Sequence, residues 1–90
     1  MDVTERIQQQ LKSNRIVLFM KGTPDFPQCG FSAAVSRALA ACGADFAAVN
    51  IFEDPELREA LKRYSNWPTY PQLYVNGELI GGADIIQEMH

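Results

Sequence analysis

The apolar run from Ile16 to Met20 constrains the fold of this 90-residue chain more than any other feature. Its five residues are all hydrophobic and do not alternate with polar side chains. A strand with one face in solvent alternates, whereas a continuous apolar run is typical of a strand covered on both faces. The run therefore favours an α/β fold in which helices cover both faces of a sheet.

Helix and strand patterns follow one another in the order α-β-α-β-α-β-β-α. Gly43 is placed to end the second helix, and Asn76-Gly77 is a strong hairpin turn signal. A βαβ unit joined by a helix to a β-hairpin gives a mixed four-stranded sheet flanked by helices on both faces. The predicted helices are Val3–Ser13, 29–41, one beginning near residue 54 and one near residue 84, and the predicted strands are Ile16–Met20, 46–51, Gln72–Val75 and 78–80.

The third helix has a clear start signal. Asp54 suits the N-cap and Pro55 the first helical position. Leu57, Leu61 and Tyr64 are spaced to form its buried face. This helix would connect the βαβ unit to the hairpin.

The end of the chain predicts a last, short helix. Gly81-Gly82 breaks the final strand, and Asp84 with Gln87 has the spacing of a capping box. The helix would have roughly two turns before His90, which is short for a terminal element. We expect residues 1–90 to form one domain whose C-terminal helix is truncated.

Composition excludes several classes of function. Eight Lys+Arg against eleven Asp+Glu give a net charge of −3, which is unfavourable for binding nucleic acid. No apolar run approaches the ~20 residues of a membrane span, so no membrane association is expected. The acidic N-terminus does not resemble a signal peptide, and two cysteines are too few for a disulfide scaffold. We expect a cytoplasmic protein with reduced thiols.

Cys29 is the candidate reactive residue. The loop 21–28 carries it from the first strand to the start of the second helix. Helix N-terminal N–H groups stabilise a thiolate, and Lys21 adds positive charge. Ser32 lies three residues further on, where a dithiol enzyme would carry its second cysteine. The alternative is a buried cysteine that packs as a small hydrophobe.

Cys42 is a poor disulfide partner for Cys29. If the second helix is continuous, the two residues lie ~20 Å apart at a rise of 1.5 Å per residue. A disulfide requires Cα atoms within ~7 Å of each other. Redox chemistry at Cys29 would therefore need a thiol from solution.

A count of ligands limits the metal chemistry of the chain. A structural zinc site needs four Cys or His ligands, and the sequence offers Cys29, Cys42 and His90. An iron–sulfur cluster usually takes four thiolates, and one chain supplies one well-placed thiolate. Two chains and two external thiols complete the count. Glutathione is the abundant cytosolic thiol, so a glutathione-completed homodimer is a permitted arrangement.

Charged residues elsewhere could complement glutathione, which carries two carboxylates and one ammonium. Lys21 and Arg58 could each bind a carboxylate. The N–H groups of 82–84 could bind an anion, while Asp84 could face the ammonium. The alternatives are ordinary surface charges and a simple helix cap.

Four segments together resemble the monothiol glutaredoxins of the CGFS type, and the resemblance covers essentially the whole chain. The segments are Lys21-Gly22-Thr23-Pro24, Cys29-Gly30-Phe31-Ser32, Trp67-Pro68-Thr69-Tyr70-Pro71-Gln72 and Gly81-Gly82-Ala83-Asp84. The resemblance implies a thioredoxin fold and a 2Fe-2S cluster bound between two subunits. It also implies delivery of that cluster to iron–sulfur acceptor proteins and pairing with BolA-like proteins.

The resemblance also implies a role for each matching residue. Cys29 would ligate iron, and the Tyr70-Pro71 bond would be cis, with the Tyr70 backbone binding the cysteinyl part of glutathione. The other implied glutathione contacts are Lys21 and Arg58 at the glycyl carboxylate, Gly82, Ala83 and Asp84 at the γ-glutamyl end, and Phe31 and Trp67 as lining residues. Ala83 departs from the family pattern, because relatives frequently have cysteine or serine there.

Three functions compete for these residues. The first is an iron–sulfur carrier or scaffold, and the second is a glutathione-dependent oxidoreductase acting through a Cys29–glutathione mixed disulfide. The third is a regulatory module in which Cys29 serves partner binding. The long loop 21–28 and Ser32 favour the carrier, with at most weak oxidoreductase activity, so whether the protein is an enzyme stays open.

Overall fold

The structure, a computed structural model, describes residues 2–67 and 69–81. The predicted last helix and residues 82–84 lie outside this range. The helices are α1 (Val3–Ser13), α2 (Gly30–Ala41) and α3 (Pro55–Ser65), with a short 3-10 helix at Ile51–Glu53. The strands are β1 (Ile16–Met20), β2 (Ala47–Asn50), β3 (Gln72–Val75) and β4 (Glu78–Gly81). In the described residues, no helix has the length and apolar character needed to cross a membrane.

The four strands form one mixed sheet in the order β2-β1-β3-β4. β1 pairs with β2 in parallel and with β3 antiparallel, and β3 pairs antiparallel with β4. Asn76 and Gly77 connect β3 to β4 with φ values of 52° and 81°. Two consecutive positive φ values define the tight hairpin turn that an Asn-Gly pair favours. The predicted fold class is confirmed.

The two faces of β1 explain its unbroken apolar sequence. Val17 and Phe19 pack in one cluster with residues of α1 and α3. Leu18 and Met20 pack on the opposite face with Val35 of α2. The four β1 side chains from Val17 to Met20 and the side chain of Val35 are fully buried. Helices therefore cover both faces of the sheet, as the sequence predicts.

The start of α3 agrees with the sequence, because the Leu57 backbone N–H donates to Asp54 Oδ1 at 3.1 Å. Arg6 of α1 pairs with the other oxygen of the Asp54 carboxylate at 2.8 Å, which links the two helices. The Leu57 N–H and the Arg6 guanidinium hold the pKa of Asp54 below its usual value. Leu57 and Leu61 are buried as predicted.

The predicted burial of Tyr64 is wrong. Its side chain is 41% exposed and lines an open groove with Lys12 and Asn76. Tyr64 lies in the last turn of α3, at the rim of the core, where helical periodicity alone does not ensure a packing partner. The inward stripe of α3 is instead completed by Ala60, which is 5% exposed.

Two strands, β2 and β4, differ from the prediction in their bounds. β2 covers Ala47–Asn50 rather than 46–51, and Ile51 begins the 3-10 helix. The Asn50 side chain accepts the Phe52 N–H at 3.0 Å, a capping bond that turns the chain out of the strand. β4 extends through Gly81, one residue beyond the predicted end.

Candidate thiol site

Cys29 is the N-cap residue of α2 and is half-buried. The twelve residues of α2 separate it from Cys42, the exposed C-cap residue. The helix ends where predicted, since Gly43 has φ 71° and its N–H donates to Ala40 O at 3.0 Å. Both cysteines are free, so Cys29 has no disulfide partner at Cys42.

The pKa of the Cys29 thiol lies below its ordinary value. The largest cause is the influence of the Ser32 backbone N–H, and the Phe31 N–H and the Lys21 charge act in the same direction. Partial burial opposes the shift. Helix N-terminal N–H groups and a nearby cation are the features that activate cysteines. The lowered pKa of Cys29 has the causes that the sequence suggests, the helix N-terminal N–H groups and the charge of Lys21.

The pH dependence of Cys29 alkylation should report this lowered pKa. Thiolate is the reactive form, so the midpoint of the rate–pH profile is expected below the ~8.5 of an ordinary cysteine. Lys21→Ala should move the midpoint to higher pH because it removes a charge that favours the thiolate. Iodoacetamide kinetics in a Cys42→Ser background isolate Cys29, and Lys12→Ala in α1 is the matched lysine control. Equal midpoints in folded and urea-unfolded protein would contradict the assignment.

Ser32 does more than occupy the place of a second cysteine. Its side chain is fully buried, and its Oγ accepts the Lys21 backbone N–H at 3.1 Å. The serine therefore ties the start of α2 to the end of β1. The sequence marks Ser32 as a missing thiol but does not reveal this bond.

The loop 21–28 is an ordered projection held by its own backbone. Gly22 and Pro27 form an antiparallel bridge, and the Gln28 N–H donates to Lys21 O at 2.9 Å. At the tip, the Phe26 N–H donates to both the Thr23 carbonyl and hydroxyl at 3.1 Å. These bonds close a tight turn beside the thiol.

Phe26 is a surface residue that the sequence reasoning missed. It is the most exposed of the large hydrophobic residues in the described chain, at 74%, and Phe31 follows at 60%. A phenylalanine between two prolines in a predicted exposed loop is the signal that could have found it. Phe26 and Phe31 thus present accessible aromatic surface within three residues of Cys29 in the sequence.

Arg58 extends from α3 towards the 3-10 helix. Its guanidinium lies over the Phe52 ring, 5.4 Å from the ring centroid. Its Nε is buried and, among the described residues, has no hydrogen-bond partner. A buried guanidinium N–H without an acceptor is costly, so this atom fits an incoming anion.

The segment before β3 is held by buried polar groups. The Tyr70-Pro71 bond is cis, as the resemblance implies, and both residues are buried. The Tyr70 hydroxyl donates to the Arg58 carbonyl, and burial raises the pKa of Tyr70 to about 12. Gln72, also buried, donates through Nε2 to the Trp67 carbonyl at 3.1 Å. Tyr70 thus remains a neutral donor that links this segment to α3.

The structure gives contacts or exposure for some of the predicted site residues, while others lie outside the described range. The charge of Lys21 lowers the pKa of Cys29. Phe31 is exposed in the first turn of α2. The backbone carbonyl of Arg58 accepts the Tyr70 hydroxyl. The indole Nε1 of Trp67 is buried and lacks a hydrogen-bond partner within the described part of the chain. Gly82, Ala83 and Asp84 lie outside the described residues, so their predicted roles stay predictions.

The chain's own side chains do not form a multi-ligand metal centre in the described range. Across residues 2–67 and 69–81, no group of three or more His, Cys, Asp or Glu side chains could hold a metal ion. The chain has two cysteines in all, fewer than the four thiolates of an iron–sulfur site. A complete thiolate site would need donors from other molecules.

A sheet in the order β2-β1-β3-β4, with a cysteine at the start of the helix that follows β1, is the arrangement of the thioredoxin superfamily. The family model described as Glutaredoxin matches residues 16–80. The chain belongs to the glutaredoxin family, and with Ser32 in place of a second cysteine it is a monothiol member.

Known proteins agree with this assignment. The chain is 56% identical over 86 residues to "Glutaredoxin 4" of Escherichia coli strain K12, covering 96% of this chain and 75% of that protein. It is 52% identical over 84 residues to "Probable monothiol glutaredoxin 2" of Rickettsia typhi, covering 93% and 76%. The crystal structure of a buckwheat glutaredoxin–glutathione complex superposes with a TM-score of 0.86 at 25% identity, covering 98% and 78%.

Proposed function

We propose that this monothiol glutaredoxin binds glutathione beside Cys29 and, as a pair of chains, carries a 2Fe-2S cluster to acceptor proteins. One observation carries the proposal: an activated, half-buried Cys29 has a buried serine where a resolving thiol would stand. A thiolate that cannot close a disulfide within its motif is suited to bind a metal or an external thiol.

The charges around Cys29 support glutathione as the external thiol. Lys21 is close enough to lower the pKa of Cys29, and Arg58 holds a buried Nε without an acceptor in the described chain. A carboxylate between them would receive charge-assisted hydrogen bonds. The buckwheat glutaredoxin, which has the same fold, forms a glutathione complex. Tyr70, Phe31 and Trp67, with Gly82, Ala83 and Asp84, are the further proposed contacts.

The donor set fits a cluster shared between two chains. Each chain supplies one Cys29 thiolate, and each bound glutathione supplies another, which completes the four thiolates of a 2Fe-2S cluster. The exposed Phe26 and Phe31 leave this side of the molecule accessible to a second chain. The cluster is the cargo, while Cys29 holds it and Lys21 and Arg58 hold the glutathione.

The same thiol supports a second function. The Cys29 thiolate could attack a glutathione mixed disulfide, form a Cys29–glutathione disulfide and release the substrate thiolate. A second glutathione would then attack that disulfide, regenerate Cys29 and leave as oxidised glutathione. The lowered pKa of Cys29 favours this chemistry.

Anaerobic reconstitution separates the two functions. Iron, sulfide and glutathione together should give a visible-absorbing dimer on a sizing column, and omitting glutathione should leave a colourless monomer. A protein that stays colourless with glutathione but reduces a glutathione mixed disulfide efficiently would contradict the carrier function. BolA-like proteins and iron–sulfur acceptors in the cytoplasm are the partners we propose for the loaded dimer.

The two cations should each contribute to glutathione binding. Lys21→Ala and Arg58→Ala are each expected to weaken it by about 1–3 kcal/mol, the range for a hydrogen bond to a charged group. Calorimetric titration measures the loss, with Lys62→Ala, a surface lysine of α3 paired to Glu59, as the control. Unchanged affinity in both variants would return Lys21 and Arg58 to ordinary surface charges.

A further inference from the structure

Asn50, at the end of β2, makes two hydrogen bonds with one atom. Its Oδ1 accepts the Gly22 N–H and the Phe52 N–H, each at 3.0 Å. The two donors belong to segments separated by about thirty residues of chain, the loop after β1 and the 3-10 helix after β2. A single side-chain oxygen therefore joins these two segments.

One of these segments carries Lys21. Its own N–H is held by Ser32 Oγ, its carbonyl by the Gln28 N–H, and the next N–H, that of Gly22, by Asn50. Gly22 is buried, so its N–H would lose a needed acceptor if Asn50 were shortened. Asn50 is thus one of three anchors that fix the backbone from which Lys21 extends.

The other segment supports Arg58. Phe52 follows Asn50 in the 3-10 helix, and its N–H is capped by the same Oδ1. The Phe52 ring lies under the Arg58 guanidinium at 5.4 Å. A fixed Phe52 ring restricts the directions in which Arg58 can present its Nε–H, which has no acceptor among the described residues.

We propose that Asn50 is a positioning residue that sets Lys21 and Arg58 together as one carboxylate clamp. The inference rests on the proposed function, in which these two cations hold the glycyl carboxylate of glutathione. Among the described residues, the hydrogen bonds of the Asn50 side chain go to Gly22 and Phe52, so the coupling to the two cations runs through these residues. Preorganisation of two donors lowers the ordering cost of binding, so the clamp gains affinity without any contact from Asn50 to the ligand.

Two ligands that differ in one group test the proposal. S-methylglutathione carries the glycyl carboxylate and has no free thiol, and its glycine-amide analogue lacks that carboxylate. Asn50→Ala should bind S-methylglutathione about tenfold more weakly than wild type, the equivalent of losing roughly one charge-assisted hydrogen bond. The variant and wild type should bind the amide analogue equally, because the clamp then has no carboxylate to hold.

The outcomes are distinguishable. If Asn50→Ala weakens the binding of both ligands equally, the proposal is overturned and Asn50 has a general structural role. If it weakens the binding of neither ligand, the proposal is also overturned. Wild-type protein that binds neither ligand would overturn the glutathione site itself. Asn14→Ala is the matched control, since the Asn14 amide donates to the Gln10 carbonyl in α1, away from the clamp.

A second substitution keeps the proposal testable if Asn50→Ala does not fold. Asn50→Gln keeps the amide but moves its oxygen outward by one methylene, which displaces both hydrogen bonds. It should lose the preference for the carboxylate ligand in the same way. Retention of the wild-type preference in a folded Asn50→Gln variant would overturn the proposal.

Discussion

Replacing Cys29 with serine is expected to abolish cluster assembly completely. A hydroxyl does not ionise near neutral pH and is a poor ligand for iron, whereas the Cys29 thiolate is favoured by the Ser32 and Phe31 N–H groups and by Lys21. Reconstituted Cys29→Ser should therefore remain colourless and elute as a monomer. Its glutathione affinity should change little, because Lys21 and Arg58 remain in place.

The variant should keep its fold, so the loss can be assigned to the ligand. Serine is a preferred N-cap residue, and the Cys29 side chain makes no capping hydrogen bond in the structure. Urea unfolding should show Cys29→Ser to be no less stable than wild type. Cys42→Ser, at the other end of α2, is the matched control and should assemble the cluster normally. A coloured dimer formed by Cys29→Ser would contradict the assignment of Cys29 as the ligand.

Local signals explain why most of the fold is predictable from the sequence. The unbroken run Ile16–Met20 requires cover on both faces, and the Asp54-Pro55 pair starts a helix through its own backbone chemistry. Asn76-Gly77 likewise encodes its turn within two residues. Each of these features depends on neighbours in sequence, and each is found where it is predicted.

Features that depend on distant packing are the ones that the sequence does not reveal. Tyr64 has the spacing of a buried residue but lies beyond the part of α3 that meets the core. The burial of Ser32 against the Lys21 N–H is equally invisible, because the bond joins residues eleven positions apart. From the sequence, the serine indicates only that a second cysteine is missing; it does not indicate that its hydroxyl accepts a hydrogen bond.

The thiol site likewise combines features that the local sequence predicts with features that depend on distant packing. Cys29 is identified by its residue type and its position at a helix start, and Lys21 by its charge directly after β1. The placement of Arg58 over Phe52 depends on how α3 meets the 3-10 helix, and the double acceptance by Asn50 depends on how that helix meets the loop 21–28. An Asn at the end of a strand is a common capping residue, which signals the bond to Phe52 but not the bond to Gly22.

Gly22→Ala is expected to have the largest effect on stability of any change at the site. Gly22 has φ +90°, and an added Cβ would lie 2.5 Å from the Phe26 carbonyl oxygen and 2.8 Å from the Gln28 backbone nitrogen. Both neighbours are backbone atoms of the bonded loop, so neither can move without breaking its hydrogen bonds. The unfavourable φ and the overpacking together should lower the free energy of unfolding by about 2–4 kcal/mol.

Gly43→Ala separates the two causes. Gly43 also has a positive φ, +71°, but an added Cβ would meet nothing within 4 Å. It should therefore cost only about 1–2 kcal/mol, the penalty of the left-handed backbone. Urea unfolding gives both values, and the midpoint of Cys29 alkylation should rise in Gly22→Ala alone, because only that loop carries Lys21. Equal losses of stability in the two variants would mean that the loop yields to the extra methyl group, and that its hydrogen bonds do not fix Lys21 beside the thiol.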